Sequence, residues 1–360
     1  MTISETAGTA TRVNKIILKG MLRDELKEFF GSIGEKPYRA DQAFNWIYNY
    51  RVESFGAMMN MSKELRAKLD ETAELNTLTL EQKQVSAIDG AAKLLFKTNG
   101  GNLIESVILP DKSRVTLCVS TQVGCPLDCK FCATGLMGYK RNLHSGEIFD
   151  QYAIAQRIYE RPITNIVFMG MGEPLLNFEQ TVKTLRIFSD ELNKGISHKK
   201  ITVSTAGIPN KIIELADTGL KSKLAFSLHS CFEDRREMIM PINKKYSLKE
   251  NLEAIEYFSR KTDTWITFEY VMLKGINDRA EDIKALVKLC RRIKSKVNII
   301  PFNSLEHMNP DGISAELQPT TREKIDKFAD KLREQNISVF LRNTQGEDID
   351  AACGQLAIKY

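Results

Sequence analysis

Apolar residues recur three and four positions apart through the first part of the chain: Leu22, Leu26, Phe29 and Phe30, then Ala43, Phe44, Ile47 and Tyr48, then Met61, Leu65 and Leu69. That spacing lays apolar side chains along one face of a helix, so residues 14–84 are predicted to form a small helical module. Residues 1–13 are small and polar and are expected to be a mobile tail. The pattern then changes to short extended runs, Lys93 to Phe96 and Leu103 to Leu109, separated by turn signals at Asp89-Gly90 and Asn99-Gly100-Gly101. Residues 85–112 therefore read as a strand-rich connector.

From 113 to 343 strand and helix patterns alternate. Strands are expected at 115–121, 165–170, 200–204, 223–229, 265–273, 297–303 and 337–343, with helices near 145–160, 178–193, 208–218, 247–261, 279–294 and 320–335. The fold class is therefore α/β, and six strand–helix units suggest a partial (β/α)6 parallel barrel. A complete barrel uses eight units over roughly 250 residues, more than this stretch provides. Chemistry in such folds gathers at the C-terminal ends of the strands. Gly172, Glu173, Ser204, Ser227, His229 and Asn303 all fall at those expected ends.

Composition narrows this only a little. Lys plus Arg number 51 against 46 Asp plus Glu, a net charge of +5 that suits a nucleic-acid partner without requiring one. The helical module carries Arg23, Lys27, Lys36, Arg39, Arg51, Lys63, Arg66 and Lys68, interleaved with Tyr38, Trp46, Tyr48 and Tyr50. The basic residues could neutralise phosphates, while the aromatics could stack on bases or fill the core of so small a unit. No apolar run approaches the roughly 20 residues of a membrane span, and residues 1–11 lack the marks of a signal peptide. The expected location is the cytoplasm, where the seven cysteines would act as metal ligands, catalytic thiols or core residues.

Three of them, Cys125, Cys129 and Cys132, are spaced C-x3-C-x2-C after the first barrel strand. Iron–sulfur clusters are usually held by four protein thiolates, so three leave one iron open to a non-protein ligand. A zinc site with a distant fourth ligand is the alternative, although zinc favours paired C-x2-C units with two further ligands. Gly170-Met-Gly-Glu-Pro174 adds flexible backbone and a carboxylate suited to an ammonium group, but alone it could be an ordinary turn. Cys290 shares the helical spacing of Ile283, Leu286, Leu289 and Ile293 and reads as a core residue.

Six segments together, the cysteine loop, Met169 to Asn177, Ser204-Thr-Ala-Gly207, Ser227-Leu-His229, Met240 to Tyr246 and Gly346 to Leu356, resemble the RlmN/Cfr family of radical S-adenosylmethionine (SAM) RNA methyltransferases. The likeness runs over nearly the whole chain from about Lys15. It implies a barrel of radical SAM type, a 4Fe-4S cluster on Cys125, Cys129 and Cys132, and SAM contacts from Gly172, Glu173, Ser204, Ser227, Leu228, His229 and Asn303. Two SAM molecules serve each turnover. One methylates Cys353, on a C-terminal tail at 344–360; the other yields a deoxyadenosyl radical that removes a hydrogen from the new methyl group. The methylene radical adds to an adenine carbon, Glu105 accepts a proton, and Cys118 attacks the Cys353 sulfur to form a transient disulfide.

Implied partners are 23S rRNA at the peptidyl-transferase centre, tRNA at the purine beside the anticodon, and an electron donor such as flavodoxin or ferredoxin, with the enzyme a monomer. Gly172-Glu-Pro174 favours methylation at carbon 2, since Cfr-type sequences, which act at carbon 8, read Gly-Glu-Ala there. After His229 the family usually continues Ala-Pro-Asn, whereas this chain reads Ser230-Cys-Phe232, which places a further thiol near the site. A non-catalytic iron–sulfur sensor that binds RNA is a different reading, and it would have no use for the pair Cys118 and Cys353.

Overall fold

The computed structural model describes residues 15–358, so the expected tail at 1–13 lies outside the described residues. Seven parallel strands stand side by side in chain order: β1 (Val115–Cys118), β2 (Asn165–Phe168), β3 (Ile201–Thr205), β4 (Lys223–Ser227), β5 (Ile266–Met272), β6 (Ser295–Pro301) and β7 (Val339–Leu341). Between them run α1 (Ser145–Ile158), α2 (Phe178–Ser189), α3 (Pro209–Asp217), α4 (Leu248–Thr262), α5 (Ala280–Arg292) and α6 (Arg322–Glu334). The six expected strand–helix units are all present. Local chemistry explains their limits. Helix α4 starts on a capping box of Ser247 and Glu250, buries Leu248, Ala254, Ile255 and Phe258, and stops at Asp263 in the left-handed region.

The sheet is open. Beyond β1 it continues through three antiparallel strands, Leu103–Pro110, Ala92–Thr98 and Leu78–Val85, giving ten strands in all. The expected connector is thus part of the barrel sheet. The last of these strands also falls inside the stretch expected to be helical. Its sequence, Leu-Thr-Leu-Glu-Gln-Lys-Gln-Val, is largely exposed, so it carries no sustained alternation to announce a strand.

Before it lie three α-helices, Arg23–Ser32, Tyr38–Phe44 and Lys63–Thr72, the second running on as a π-turn through Asn49. This module is locked to α1. The Tyr48 hydroxyl donates to the Met21 carbonyl at 2.8 Å and accepts from the Gly20 amide at 2.7 Å, while its ring meets Phe149 edge-on. Deeper still, the Lys19 ammonium donates to Asp150 Oδ1 at 2.5 Å, and Asp150 Oδ2 accepts from both the amide and the hydroxyl of Thr77. Lys19 and Asp150 are 4% and 1% exposed, so neither charge can turn to water if its partner is removed.

Breaking such a buried pair from one side costs about 3–5 kcal/mol. Asp150→Ala should therefore unfold at lower urea, with Trp46 in the module reporting the change before Trp265 in the barrel. Unchanged unfolding followed at Trp46 would show that this pair does not hold the module.

Candidate active site

The C-terminal ends of β2 to β6 open into one cavity of about 140 Å³. Cys125, Cys129, Cys132, Gly172, Glu173, Ser204, Ser227, His229, Asn303 and Cys353, all singled out in the sequence, line it together. Leu228 does not; its side chain is buried in the barrel core.

The cysteine loop is framed by a short antiparallel pair, Gln122–Gly124 with Tyr139–Asn142. The Cys125 amide donates to the Gly138 carbonyl, the Lys130 amide to that of Ile239 and the Cys132 amide to that of Cys129, while Asp128 takes the left-handed conformation at φ 51°. Burial pushes the Cys125 thiol up to about 12 and holds Cys129 well above the usual thiol range. Nearby Cys132 pushes both the same way, as a convergence of three potential anions must. Such a set suits a cationic cluster that disperses their charge.

On the facing wall Glu173 is fixed by its neighbours. Its Oε1 accepts from the Leu175 amide at 2.9 Å and its Oε2 from the Ala206 amide at 2.8 Å, yet burial still raises its pKa to about 7. Gly172 beside it sits at φ +98°, and a Cβ there would come within 2.5 Å of Gln122 Cβ. His229 has φ 52°, and its Nδ1 accepts from the Val271 amide at 3.0 Å. Burial lowers its pKa to about 3, so the ring is neutral and the acceptor role of Nδ1 assigns the proton to Nε2. The ring also meets Phe131 of the cysteine loop edge-on, with centroids 4.5 Å apart.

Arg236 escaped the sequence reading because a charged residue on a short helix gives no sign of being buried. It is 0% exposed. Its guanidinium donates to the carbonyls of Ala206, Ser227 and Leu228 and to Asn243 Oδ1, tying together the ends of β3 and β4. Glu269 was missed for a similar reason. It is a buried carboxylate on β5 that lines the cavity and accepts from Asn298 Nδ2 at 2.7 Å.

The chain then returns across this rim. Gln345 Nε2 donates to the Pro110 carbonyl, the Gly346 amide to Asp89 and the Ala87 amide to Asp348, while the Ala133 amide and Thr134 hydroxyl donate to the carbonyls of Gly354 and Leu356. Asn303 Nδ2 donates to the Cys353 carbonyl at 2.9 Å, so this expected cofactor contact also holds the tail. Gly354 follows at φ +83°, where a Cβ would come 3.0 Å from the Phe131 carbonyl. Cys353 is exposed through the cavity mouth and also lines a second cavity, of about 40 Å³, together with Cys118. Glu105 lies apart from both. It lines a third cavity, of about 260 Å³, with Lys93 Nζ 3.6 Å from its Oε1 and Asp350 and Ala357 of the tail nearby. Its Oε2 has no hydrogen-bond partner, and burial raises its pKa.

Residues 16–75 match the ribosomal RNA large subunit methyltransferase N-terminal domain, and residues 119–290 match the radical SAM superfamily. Over 93% of this chain and 96% of its partner, the sequence is 44% identical to the probable dual-specificity RNA methyltransferase RlmN of Thermotoga sp. (strain RQ2). The chain belongs to the RlmN family. The RlmN of Cytophaga hutchinsonii is 42% identical over 98% of this chain and 95% of its own. A crystal structure of a radical SAM methyltransferase from Sphaerobacter thermophilus superposes with a TM-score of 0.87 at 38% identity, covering 94% of this chain and 98% of that one. Membership of the radical SAM superfamily implies SAM and a 4Fe-4S cluster, and the three-thiol donor set fits the cluster.

In an RlmN-family barrel the SAM-facing strand ends must keep their positions, and here Arg236 supplies the buried ties. Arg236→Leu would remove the bonds from a charged group to three carbonyls, each worth about 1.5–3 kcal/mol. The variant should bind SAM about tenfold more weakly, a change of about 1.4 kcal/mol, while keeping the brown cluster absorbance. Equilibrium dialysis with labelled SAM checks this, and wild-type affinity would refute it.

Proposed function

We propose that this RlmN-family protein methylates carbon 2 of adenine in 23S rRNA at the peptidyl-transferase centre, and of the purine beside the tRNA anticodon. The observation that carries this reading is the position of Cys353. It stands where a cofactor cavity ringed by three cysteines meets a smaller cavity containing a second thiol, Cys118. The cluster would be held by Cys125, Cys129 and Cys132, and SAM by Glu173, Ser204, Ser227, His229 and Asn303 around the same cavity. When bound, they supply a methyl group and the means of removing a hydrogen atom.

Adenine carbon 2 is electron-poor and does not attack a SAM methyl group as a nucleophile. The chain therefore has to carry the methyl group itself. Cys353, as thiolate, accepts it by displacement from one SAM, with a new sulfur–carbon bond formed as the sulfonium bond breaks. After a hydrogen is removed with the second SAM, the methylene radical on Cys353 adds to carbon 2. Glu105 takes the carbon 2 proton, aided by the burial that makes its carboxylate more basic, and the adduct radical gives up its unpaired electron, which a bound 4Fe-4S cluster would accept. Glu105 lines a cavity beneath Asp350 and Ala357 of the tail, next to the one that Cys353 lines, so its role would draw on movement of that tail. Cys118 then attacks the Cys353 sulfur, and the disulfide releases the methylated base.

The module offers RNA a mixed surface. Tyr48 is consumed by the core, but Tyr38 and Tyr50 are 49% and 58% exposed, with the Arg39 guanidinium over Tyr38 and Trp46 against Tyr50. These suit phosphate neutralisation and base stacking during extrusion of the target nucleotide. We assign electron delivery to flavodoxin or ferredoxin and treat the enzyme as a monomer. Action at carbon 8 is disfavoured by Pro174 and by relatives that bear the RlmN name.

The two thiols should fail differently. Cys353→Ala should form no methylated protein, whereas Cys118→Ala should accumulate protein joined to RNA, visible as a shifted band in denaturing gels. Equal loss of activity without any crosslink in either variant would contradict these roles.

A further inference from the structure

Arg342 follows β7, and its amide donates to the Ile299 carbonyl at 2.9 Å. Its side chain lines both the cofactor cavity and the smaller cavity shared by Cys118 and Cys353. Unlike Arg236, whose guanidinium is tied to four oxygens, the half-buried Arg342 guanidinium makes no hydrogen bond or ion pair among the described residues. Five N–H donors and a permanent positive charge thus share a small cavity with two sulfurs, with no hydrogen bond from the described residues to engage them.

The charges around it agree with that placement. Cys118, Cys353 and the buried carboxylate of Glu269 each draw the charged form of Arg342 tighter. In the other direction, burial pushes the Cys118 thiol up to about 12, and Arg342 is the main influence pulling it down. A buried neutral thiol is a poor nucleophile, because the thiolate is the form that attacks. The cavity therefore needs a cation beside Cys118, and Arg342 is in place to supply it.

We propose that Arg342 is the counter-ion that stabilises the Cys118 thiolate as it attacks the sulfur of Cys353. The inference rests on the thiol roles proposed above. In the step, a lone pair on the Cys118 sulfur forms the S–S bond. The bond from the Cys353 sulfur to the methylene carbon on adenine breaks, and its electron pair stays with the carbon, which takes a proton from water to become methyl. The two sulfurs are oxidised to the disulfide and the carbon is reduced by the same two electrons, so no outside oxidant is needed. Cys353 lines the same cavities as Arg342, so both sulfurs of the new disulfide lie in reach of its charge.

The test uses full-length reconstituted protein with SAM, dithionite and substrate RNA, comparing wild type, Arg342→Gln, Arg342→Lys and Cys118→Ala. Arg342→Gln should reach the same final level of S-methylated Cys353 and, in a single turnover, cleave SAM to the same extent as wild type. Its protein–RNA crosslink should persist about tenfold longer than in wild type, since a one-unit rise in thiol pKa lowers the thiolate fraction tenfold. Arg342→Lys, which keeps the charge, should fall between the two. A merely structural role would not separate Lys from Gln in crosslink lifetime while sparing SAM cleavage. A wild-type crosslink lifetime in Arg342→Gln would overturn the proposal. So would a raised KM for SAM with impaired cleavage, which would make the guanidinium a ligand of the SAM carboxylate. Failure of Arg342→Gln to form any crosslink, with weakened RNA binding, would point instead to an RNA phosphate contact. If Cys118→Ala itself leaves no lasting crosslink, the thiol roles fail first, and the inference about Arg342 falls with them.

Discussion

The site depends on how the segment 344–358 is tied across the open mouth of the barrel. No single bond in it is strong: backbone and amide hydrogen bonds of 2.7–2.9 Å join it to the cysteine loop, to Asn303, to Pro110 and to Asp89. A hydrogen bond of this kind contributes about 1 kcal/mol net, but several acting on one short strap fix its path. That path sets Cys353 between the cofactor cavity and Cys118. Because the strap carries no regular helix or ladder beyond one turn at Glu347–Ile349, it can also yield without unfolding the barrel. Glu105 lines a cavity with Asp350 and Ala357 of this strap, so the proton transfer proposed for it would draw on that freedom.

Around this strap the barrel is rigid in a particular way. Glu173 spends its carboxylate on two backbone amides, His229 spends Nδ1 on another, and Arg236 braces three carbonyls from below. Each is a buried polar group whose own bonds leave it one orientation, so the rim is preorganised before any cofactor arrives. Arg342 and Glu105 stand out against that background because each retains unused hydrogen-bonding capacity. Polar capacity left open inside an otherwise satisfied interior marks where chemistry, or a ligand, is still to be accommodated.

Much of this was legible in the chain. The seven strands and six helices of the barrel announce themselves because each crossover helix repeats its apolar stripe and each central strand is an apolar run, and the rim residues follow from where those strands end. The cysteine loop is legible because its spacing is local. Strand Leu78–Val85 was not, since a mostly exposed strand at the sheet edge has neither an apolar run nor a clean alternation. Arg236, Glu269 and Arg342 were not, because their meaning arises from partners more than a strand away: Ala206 lies thirty positions from Arg236, and Cys118 lies across the sheet from Arg342. Leu228 stands differently, because any contact it makes with a cofactor would come from its backbone. Its side chain is buried in the core, which a motif alone does not reveal.

The central claim is that the methyl group travels through Cys353 and loses a hydrogen on the way. Its most direct test supplies SAM carrying a fully deuterated methyl group to protein purified without S-methylation, followed by mass spectrometry of the adenosines in the treated RNA. The account expects 2-methyladenosine bearing two deuteriums, the third having been removed from the Cys353 methyl group and replaced by a solvent proton. A product that keeps all three deuteriums would mean that the methyl group passes intact from SAM to the base, and would contradict the account.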